Sequence, residues 1–352
     1  MTENEEDFEL QNSNEEEDDD LIDRYEFIID KGQEPYRIDK FMTDRLERIS
    51  RTKLQASANA GTLTVNDKVV KSNYKVRPGD KIILIVNKPV GYVKMEAENI
   101  PLKILYEDDD LVVIDKQAGL VVHPGVGNFS GTLVNALMYH FKSLPHNGDE
   151  TRPGLVHRLD KNTSGVMVIA KNEFSMSHLA KQFFDRTIDR NYVALVWGDF
   201  DEEKGTVDVN IGRSHRARQQ QEVFPNGDDG KHAVTHYEVL ERFGYTSLVR
   251  CKLETGRTHQ IRVHMKYIGH TVFSDERYGG DKILAGTIYS KYKQFADNCF
   301  TICRRQALHA RSLGFTHPQT KERLFFETPL PTDMDDVVEK WRKYAKQLEI
   351  ER

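Results

Sequence analysis

The pattern of apolar and polar residues divides the chain into two folded parts of unequal size. Within residues 36–96, the pattern predicts two short helices, the second of which Ser50 would cap. Alternating apolar residues on both sides of an Asn-Asp turn predict a β-hairpin, and an apolar strand over residues 81–86 ends the unit. A linker that contains proline and glycine follows over residues 87–100. The first part is therefore predicted to be a compact unit of two helices and a small sheet.

Strands outnumber helices in the second part, which is predicted to span residues 101–335. Two helices are predicted, over residues 132–141 and 173–184, and in the second the residues Phe174, His178, Leu179 and Phe183 recur at helical spacing. Several neighbouring strands are separated by short turns, which indicates hairpins and therefore antiparallel pairing. We predict an α+β fold with an antiparallel-rich mixed β-sheet. The expected strands cover residues 111–115, 166–170, 192–197, 206–211, 235–240 and 246–253.

The two ends of the chain differ in charge and in predicted order. Residues 1–20 contain eleven Asp or Glu and no Lys or Arg, so an acidic disordered tail is predicted over residues 1–30. Without those eleven carboxylates, the formal charge of −6 becomes +5 for the rest of the chain, which is therefore mildly basic. A C-terminal helix is expected over residues 336–352.

Several classes of protein are disfavoured by what the sequence lacks. Three cysteines are too few for a disulfide framework, and no set of Cys, His or Glu has zinc-ligand spacing, so we expect reduced thiols and no metal. His259 and His264 are interpreted as structural residues. No glycine-rich loop opens a helix after a strand, so no nucleotide cofactor is expected. No apolar run approaches about 18 residues and no leader pattern is present, so we expect a cytoplasmic protein without a membrane anchor.

One stretch carries the strongest chemical signal. Residues 152–165 are polar and rich in turn formers, and an apolar strand follows them directly. The carboxylate of Asp160 lies there between two cations, Arg158 and Lys161. Nearby positive charge lowers the pKa of a carboxyl group, which suits a nucleophile or general base that works without a metal. Taken alone, such an Arg-x-Asp sequence is more often an ordinary surface ion pair.

The rest of the chain changes that interpretation. Residues 157–160, followed by residues 163–165, resemble the catalytic motif of RNA pseudouridine synthases, specifically the RluA/RluD family that modifies large-subunit ribosomal RNA. The resemblance covers roughly residues 36–333. It departs from the family pattern at Asn162, where relatives often have Asp, and at a Gln-Gln pair in a basic loop. Further family motifs occur in the expected order at residues 115–124, 190–198, 255–264 and 305–310.

The resemblance implies roles for particular residues. Asp160 would be the catalytic residue, and Tyr192 would stack on the uracil and relay a proton. Arg262 would pair with Asp160, with Arg257 as the alternative for that partner or as a phosphate contact. Arg158 would fill the space that the flipped base leaves. The residues expected to bind substrate are Arg158, Arg257, Ile261, Arg216 and Arg218, the last two in a basic loop whose alternative interpretation is a solvated hairpin tip.

The first part of the chain resembles the S4-like RNA-binding domain. In that domain a helix pair presents cations to the phosphate backbone of RNA. The alternative is an ordinary solvated helix pair without a ligand. The residues expected to contact RNA are Lys40, Arg45, Arg51 and Lys53.

The combined prediction is a monomeric RNA pseudouridine synthase. Converting uridine to pseudouridine is an isomerisation, so the reaction needs no cofactor. The substrate is expected to be large-subunit (23S) ribosomal RNA, with transfer RNA as the alternative. A non-catalytic RNA-binding protein would be expected to lack Asp160 or Tyr192, and an S4-bearing methyltransferase would need a glycine-rich cofactor loop; neither condition is met.

Overall fold

The computed structural model describes residues 22–46, 49–87, 96–125, 128, 130–146, 152–217, 220–286 and 289–350. Residues 1–21 of the predicted acidic tail and residues 88–95 of the predicted linker lie outside the described residues.

The N-terminal unit forms a small α/β domain with its own apolar core. Its sheet has the order β1-β6-β3-β4, and the side chain of Ser50 caps the second helix by accepting a hydrogen bond from the Lys53 amide at 3.3 Å. Asn66 and Asp67 both have positive φ, as the tight turn between β3 and β4 requires. The elements are β1 (Ile22–Ile28), β2 (Tyr36–Arg37), α1 (Ile38–Thr43), α2 (Arg51–Ala60), β3 (Leu63–Val65), β4 (Lys68–Val69), β5 (Lys75–Val76) and β6 (Lys81–Asn87).

The first strand of this domain corrects the predicted limit of the disordered tail. We expected residues 1–30 to be disordered, but β1 pairs antiparallel with β6 along its whole length. Tyr25 and Phe27 pack against the core, and Ile29 is buried, so every second side chain points inward. The acidic composition of the preceding residues obscured this short amphipathic strand.

The second unit is built around one large mixed sheet. Its strand order is β11-β14-β15-β10-β16-β9-β8-β7, with β17 paired to β16. The described strand pairs are antiparallel except for β16 and β9, so the α+β, antiparallel-rich prediction is confirmed. The elements are β7 (Lys103–Glu107), β8 (Leu111–Lys116), α3 (Leu133–His140), β9 (Ser164–Ala170), α4 (Glu173–Phe184), β10 (Asp189–Trp197), β11 (Lys204–Asp208), β12 (Asn210–Arg213), β13 (Gln221–Phe224), β14 (Val234–Arg242), β15 (Thr246–Leu253), α5 (Gln260–Tyr267), α6 (Ser290–Ile302), β16 (Leu308–Thr316), β17 (Arg323–Glu327) and α7 (Thr332–Ile350).

Two predicted elements differ in detail from the structure. The single strand expected over residues 206–211 is divided, because β11 belongs to the large sheet whereas β12 leaves it to pair with β13. The C-terminal helix starts at Thr332 rather than at residue 336. Its Trp341 is fully buried in a second apolar cluster, so this helix is part of the large domain.

The contact between β9 and β16 depends on one glycine. Gly165 has φ of +122°, and a Cβ atom there would lie 2.2 Å from the carbonyl oxygen of Ala310 in β16. Any side chain would therefore push the two strands apart at their parallel pairing. This glycine lies in the stretch that resembles the catalytic motif, five residues after Asp160.

The small domain packs on the large one through α2, which contacts α4. Leu54 and Ala58 of α2 belong to the core of the small domain, whereas Lys53 and Ser57 are buried outside that core. This helix therefore has two buried faces. Among the described residues, no helix is both long and apolar enough to cross a lipid bilayer.

Candidate active site

A cleft of about 420 Å³ opens in the large domain beside the N-terminal ends of β9 and α5. Its lining comes from the loop before β9, the end of α4, the start of β10 and the loop between β15 and α5. Six arginines line the cleft against two carboxylates, Asp160 and Glu254. Such a surface attracts a polyanionic ligand. The cleft brings together six of the residues selected from the sequence: Arg158, Asp160, Tyr192, Arg257, Ile261 and Arg262.

Asp160 and Arg262 form an ion pair at the bottom of this cleft. Arg262 Nη1 donates to Asp160 Oδ2 at 3.0 Å, although the two residues are 102 positions apart. The rest of the guanidinium faces Asp275, with Nε donating to Oδ2 at 2.6 Å and Nη2 to Oδ1 at 2.8 Å. Arg262 is 5% exposed and is therefore held rigidly between two carboxylates. Arg257, the alternative partner, donates instead from Nε to the carbonyl oxygen of His232 at 3.1 Å.

The surroundings keep Asp160 ionised. Burial by itself would raise its pKa, but His259, which is protonated in the acidic range where Asp160 titrates, the charges of Arg262 and Arg158, and the hydrogen bond from Arg262 lower that pKa to about 2. Burial also lowers the pKa of His259 to about 4, so its imidazole is neutral at neutral pH. The two arginines are then the cations that stabilise the carboxylate. Asp160 is thus an anion at neutral pH, and it lines the cleft.

The loop that carries Asp160 is anchored on both sides. The buried Lys116 Nζ donates to three backbone carbonyls, including that of Lys161 at 3.1 Å. Arg305 Nη1 donates to the carbonyl of Asn162 at 2.8 Å, while its other nitrogens pair with Asp333 at the start of α7. The carboxylate is therefore presented by a loop that the sheet and the last helix both hold in place.

Tyr192 lies in β10 and turns its ring towards the same cleft. It is 9% exposed and belongs to the main apolar core, so most of the ring packs against protein. Burial raises the pKa of its phenol, which is therefore neutral at physiological pH. A neutral phenol at the wall of a cleft offers both a stacking surface and a hydroxyl group.

His259 is closer to the site than we expected from the sequence. It was interpreted as structural, yet its Nε2 lies 4.0 Å from Asp160 Oδ1. Its Nδ1 lies 2.8 Å from the hydroxyl of Tyr278, and its own φ is +55°. His264, by contrast, is fully buried, with its Nδ1 2.9 Å from the hydroxyl of Thr235, and it does not line the cleft.

The structure adds three arginines that the sequence analysis did not select. Arg190 precedes Tyr192 by two residues in β10, Arg186 follows α4, and Arg24 comes from β1 of the small domain. Arg190 could have been found from the two-residue period of the strand, which puts its side chain on the same face as Tyr192. Arg24 could not, because the sequence does not show how the two domains pack.

The remaining predicted binding residues lie outside the cleft. Arg216 is exposed in the loop after β12, and Arg218 lies outside the described residues. On the small domain, Lys40, Arg45 and Arg51 are exposed. Lys53 is 3% exposed, which contradicts its predicted role in contacting RNA. The physical reason is the position of α2, which packs against α4 as well as on its own core.

One cluster in the described part of the chain has the residue types of a metal site. Asp108, Asp110 and His317 lie close together at the start of β8. His317 Nδ1 accepts hydrogen bonds from the amides of Gln319 and Thr320, so its Nε2 carries the proton that is donated to Asp108 at 2.9 Å. Asp108 also accepts from the Leu111 amide and the Tyr106 hydroxyl. These bonds make the cluster a structural junction.

Comparison with known proteins agrees with this geometry. The profile of the RNA pseudouridylate synthase family matches residues 110–267, and that of the S4 domain matches residues 37–82. An uncharacterized RNA pseudouridine synthase of Chlorobaculum parvum is 48% identical, over 89% of this chain and 96% of that protein. The ribosomal large subunit pseudouridine synthase D of Nitrosomonas europaea is 44% identical, over 85% of this chain and 82% of that protein.

A solved structure supports the same assignment. The human RNA pseudouridylate synthase domain containing 4 superimposes with a TM-score of 0.52 and 27% identity, over 68% of this chain and 93% of that structure. The chain belongs to the RNA pseudouridine synthase family and carries an S4 domain at its N-terminal end. It is an isomerase that acts on RNA, as the sequence motifs predicted.

Proposed function

We propose that the chain isomerises particular uridines of large-subunit ribosomal RNA, as a monomer in the cytoplasm, with Asp160 as the nucleophile. The observation that carries the proposal is the ion pair of Asp160 and Arg262 at the bottom of a cationic cleft whose wall includes Tyr192. The ribosomal target is supported by relatives whose names include the large ribosomal subunit.

The reaction accounts for the groups in the cleft. The glycosidic bond between N1 of uracil and C1′ of ribose breaks, the base turns, and a bond from C5 to C1′ forms. The hydrogen of C5 is lost and N1 gains a hydrogen, so atoms and electrons balance without a co-reactant. The base must leave its stack to reach Asp160, and Arg158, which lines the cleft two residues before Asp160, is suited to fill the gap that the base leaves.

The assay follows from the same bond changes. RNA transcribed with tritium at C5 of uridine releases the label only when C5 becomes the glycosidic carbon. Unmodified transcripts of large-subunit ribosomal RNA and of transfer RNA are offered separately to the purified protein. We expect release from the ribosomal transcript and mapping of the product to a few fixed positions. Release from transfer RNA alone would overturn the proposed target.

Tyr192 is expected to act in turnover more than in binding. Tyr192→Phe keeps the ring, and because stacking contributes about 1–3 kcal/mol per base, RNA affinity should change little. Loss of the hydroxyl should slow single-turnover tritium release by about 10²-fold or more, the usual contribution of a proton-transferring group. Tyr237→Phe, in β14 and outside this cleft, is the matched control. Wild-type turnover by Tyr192→Phe would leave Tyr192 with a packing role alone.

The exposed cations of α1 and of the turn after it are expected to contribute to RNA affinity but not to the isomerisation. Replacing Lys40 and Arg45 by Gln should flatten the dependence of RNA binding on salt by about 0.7 to 0.9 log units for each phosphate that is no longer neutralised. Turnover on saturating RNA should stay at the wild-type level, because the cleft is unchanged. The control replaces two exposed lysines of α7, Lys343 and Lys346. An equal salt slope in both double variants would show that the small domain does not hold this RNA.

A further inference from the structure

Arg190 is a buried cation that has no anionic partner in the described part of the chain. Its side chain is 9% exposed, and Nη2 donates one hydrogen bond, to the backbone carbonyl of Glu254 at 3.0 Å. Nε has no hydrogen-bond partner, and no carboxylate of the described residues pairs with the guanidinium. The guanidinium also faces the ring of Phe183, whose centroid lies 5.6 Å from Cζ. Burying a charge without a counter-charge lowers the stability of the fold. We therefore expect Arg190 to serve a function that offsets this cost.

The charges around Arg190 increase that cost. Burial first, and then the like charges of Arg186 and Arg257, lower the pKa of the Arg190 guanidinium. Glu254 provides only its backbone carbonyl, because its carboxylate contacts His236 Nε2 at 2.7 Å and Arg186 at 3.7 Å. The other carboxylate of the cleft, Asp160, is held by Arg262. Arg190 itself is therefore left without a counter-charge among the residues that the structure describes.

Arg186 occupies a backbone position that favours glycine. It follows α4 with φ of +57°, and the Thr187 amide bonds back to the Gln182 carbonyl at 3.0 Å, as in a Schellman motif. An arginine there is strained relative to glycine, and the turn directs its side chain to the cleft. Backbone strain of this kind is common at ligand-binding sites, and Arg186 lines the cleft.

Arg190 packs closely on the loop before α5 because position 256 is a glycine. A Cβ atom on Gly256 would lie 2.7 Å from Arg190 Nη1. A side chain at position 256 would therefore displace the guanidinium from its place in the wall of the cleft. Arg190 and Tyr192 are alternate residues of one strand, so a nucleotide whose base stacks on Tyr192 would place its sugar-phosphate chain near Arg190.

We propose that Arg190, with Arg186 and Arg257, forms an anion site that binds one backbone phosphate of RNA next to the nucleotide in the cleft. Arg190 supplies the buried, pre-oriented donor, and the other two arginines complete the charge. The bound phosphate is the missing counter-ion, so the site is satisfied only when RNA is present. This site rests on the proposed function for its natural ligand but can be tested without the reaction.

The first test uses inorganic phosphate as the probe. Wild-type protein and Arg190→Met are melted in phosphate and in chloride at equal ionic strength. Without phosphate, Arg190→Met should melt at the same temperature as wild type or higher, since it removes an uncompensated buried charge. Phosphate should raise the melting temperature of wild type more than that of Arg190→Met. An equal phosphate shift in both proteins would overturn the site.

Two further variants distinguish loss of the anion site from destabilisation of the fold. Arg186→Gly relieves the left-handed strain and should also raise the melting temperature while reducing the phosphate shift. Arg311→Met removes an exposed arginine of β16 that pairs with Glu327 at 2.7 Å outside the cleft, and it should keep the wild-type shift. If both cleft variants melted lower and kept the phosphate shift, Arg190 and Arg186 would be structural residues.

The second arm uses RNA and separates free phosphate from backbone phosphate. Arg190→Met should lower kcat/KM on a ribosomal transcript by at least about tenfold, the loss expected for a charged hydrogen bond. The log–log salt slope of RNA binding should fall by about 0.7 to 0.9. If phosphate raised the melting temperature of wild type more than that of Arg190→Met, but the variant kept its kcat/KM and salt slope on RNA, the site would bind an anion other than the RNA backbone. If the same difference in melting temperature were found and wild type made no pseudouridine, the anion site would stand and only the proposed reaction would be excluded.

Discussion

Asp160→Asn is expected to abolish pseudouridine formation while the protein keeps its fold and its affinity for RNA. The amide has the shape of the carboxylate, and Arg262 retains both of its hydrogen bonds to Asp275. What is lost is the anionic nucleophile, whose removal in other enzymes costs about 10⁴-fold or more in turnover. Single-turnover tritium release and RNA binding, measured on the same preparation, separate the two effects.

The matched control for this experiment is Asp199→Asn. Asp199 is a half-exposed carboxylate that pairs with Arg242 and does not line the cleft. It should release tritium at the wild-type rate. Product formation by Asp160→Asn above the level set by contaminating wild-type enzyme would exclude Asp160 as the nucleophile. Loss of RNA binding together with activity would instead assign it a role in holding the substrate.

Arg262→Met should have the largest effect on stability. It leaves Asp275, whose side chain is 1% exposed, without its two charged hydrogen bonds, and it leaves Asp160 without its ion-pair partner. Breaking a buried pair by removing one member costs about 3–5 kcal/mol of unfolding free energy. Urea unfolding should show this loss, and activity should fall because the pKa of Asp160 rises without its cation.

A double variant separates the structural part of that effect from the chemical part. Arg262→Met with Asp275→Leu replaces the second pair by apolar groups, which often restores most of the stability. We expect the unfolding free energy to recover while activity stays low. If the unfolding free energy and the activity both recovered, the only role of Arg262 would be to stabilise the fold. Arg311→Met, which breaks an exposed ion pair, should cost no more than about 1 kcal/mol.

The centre of the site could be predicted from the sequence because its residues lie in motifs of recognisable order. Asp160 and Arg262 are far apart in the chain, and local spacing could not show that they touch; the resemblance to a family selected Arg262, and the structure shows the contact. His259 was interpreted as structural because no second ligand lies at metal-ligand spacing from it in the sequence. That criterion tests for a metal site and gives no information on whether His259 lies near a carboxylate.

The errors in the small domain have a different origin. Lys53 was predicted to face RNA because it is a cation on a helix, and periodicity within α2 cannot show that α4 of another domain covers it. The strand β1 was missed because the acidic composition of residues 1–20 was extended to a disordered tail that ends at residue 30, which includes the seven residues of this strand. The two-residue period of β10 could have placed Arg190 on the same face as Tyr192, but its missing counter-charge is visible only in the three-dimensional contacts.

The position of β16 has a consequence for the order in which function appears during synthesis. This strand lies between β9, which follows Asp160, and β10, which contains Tyr192, yet it is the last strand but one to be made. Until β16 leaves the ribosome, no strand joins the part of the sheet that ends at β9 to the part that ends at β10. The S4 domain, complete by residue 87, emerges long before. If the S4 domain binds RNA and Asp160 and Tyr192 act as proposed, a growing chain would bind RNA well before it could modify RNA, because the site is complete only when translation is nearly finished.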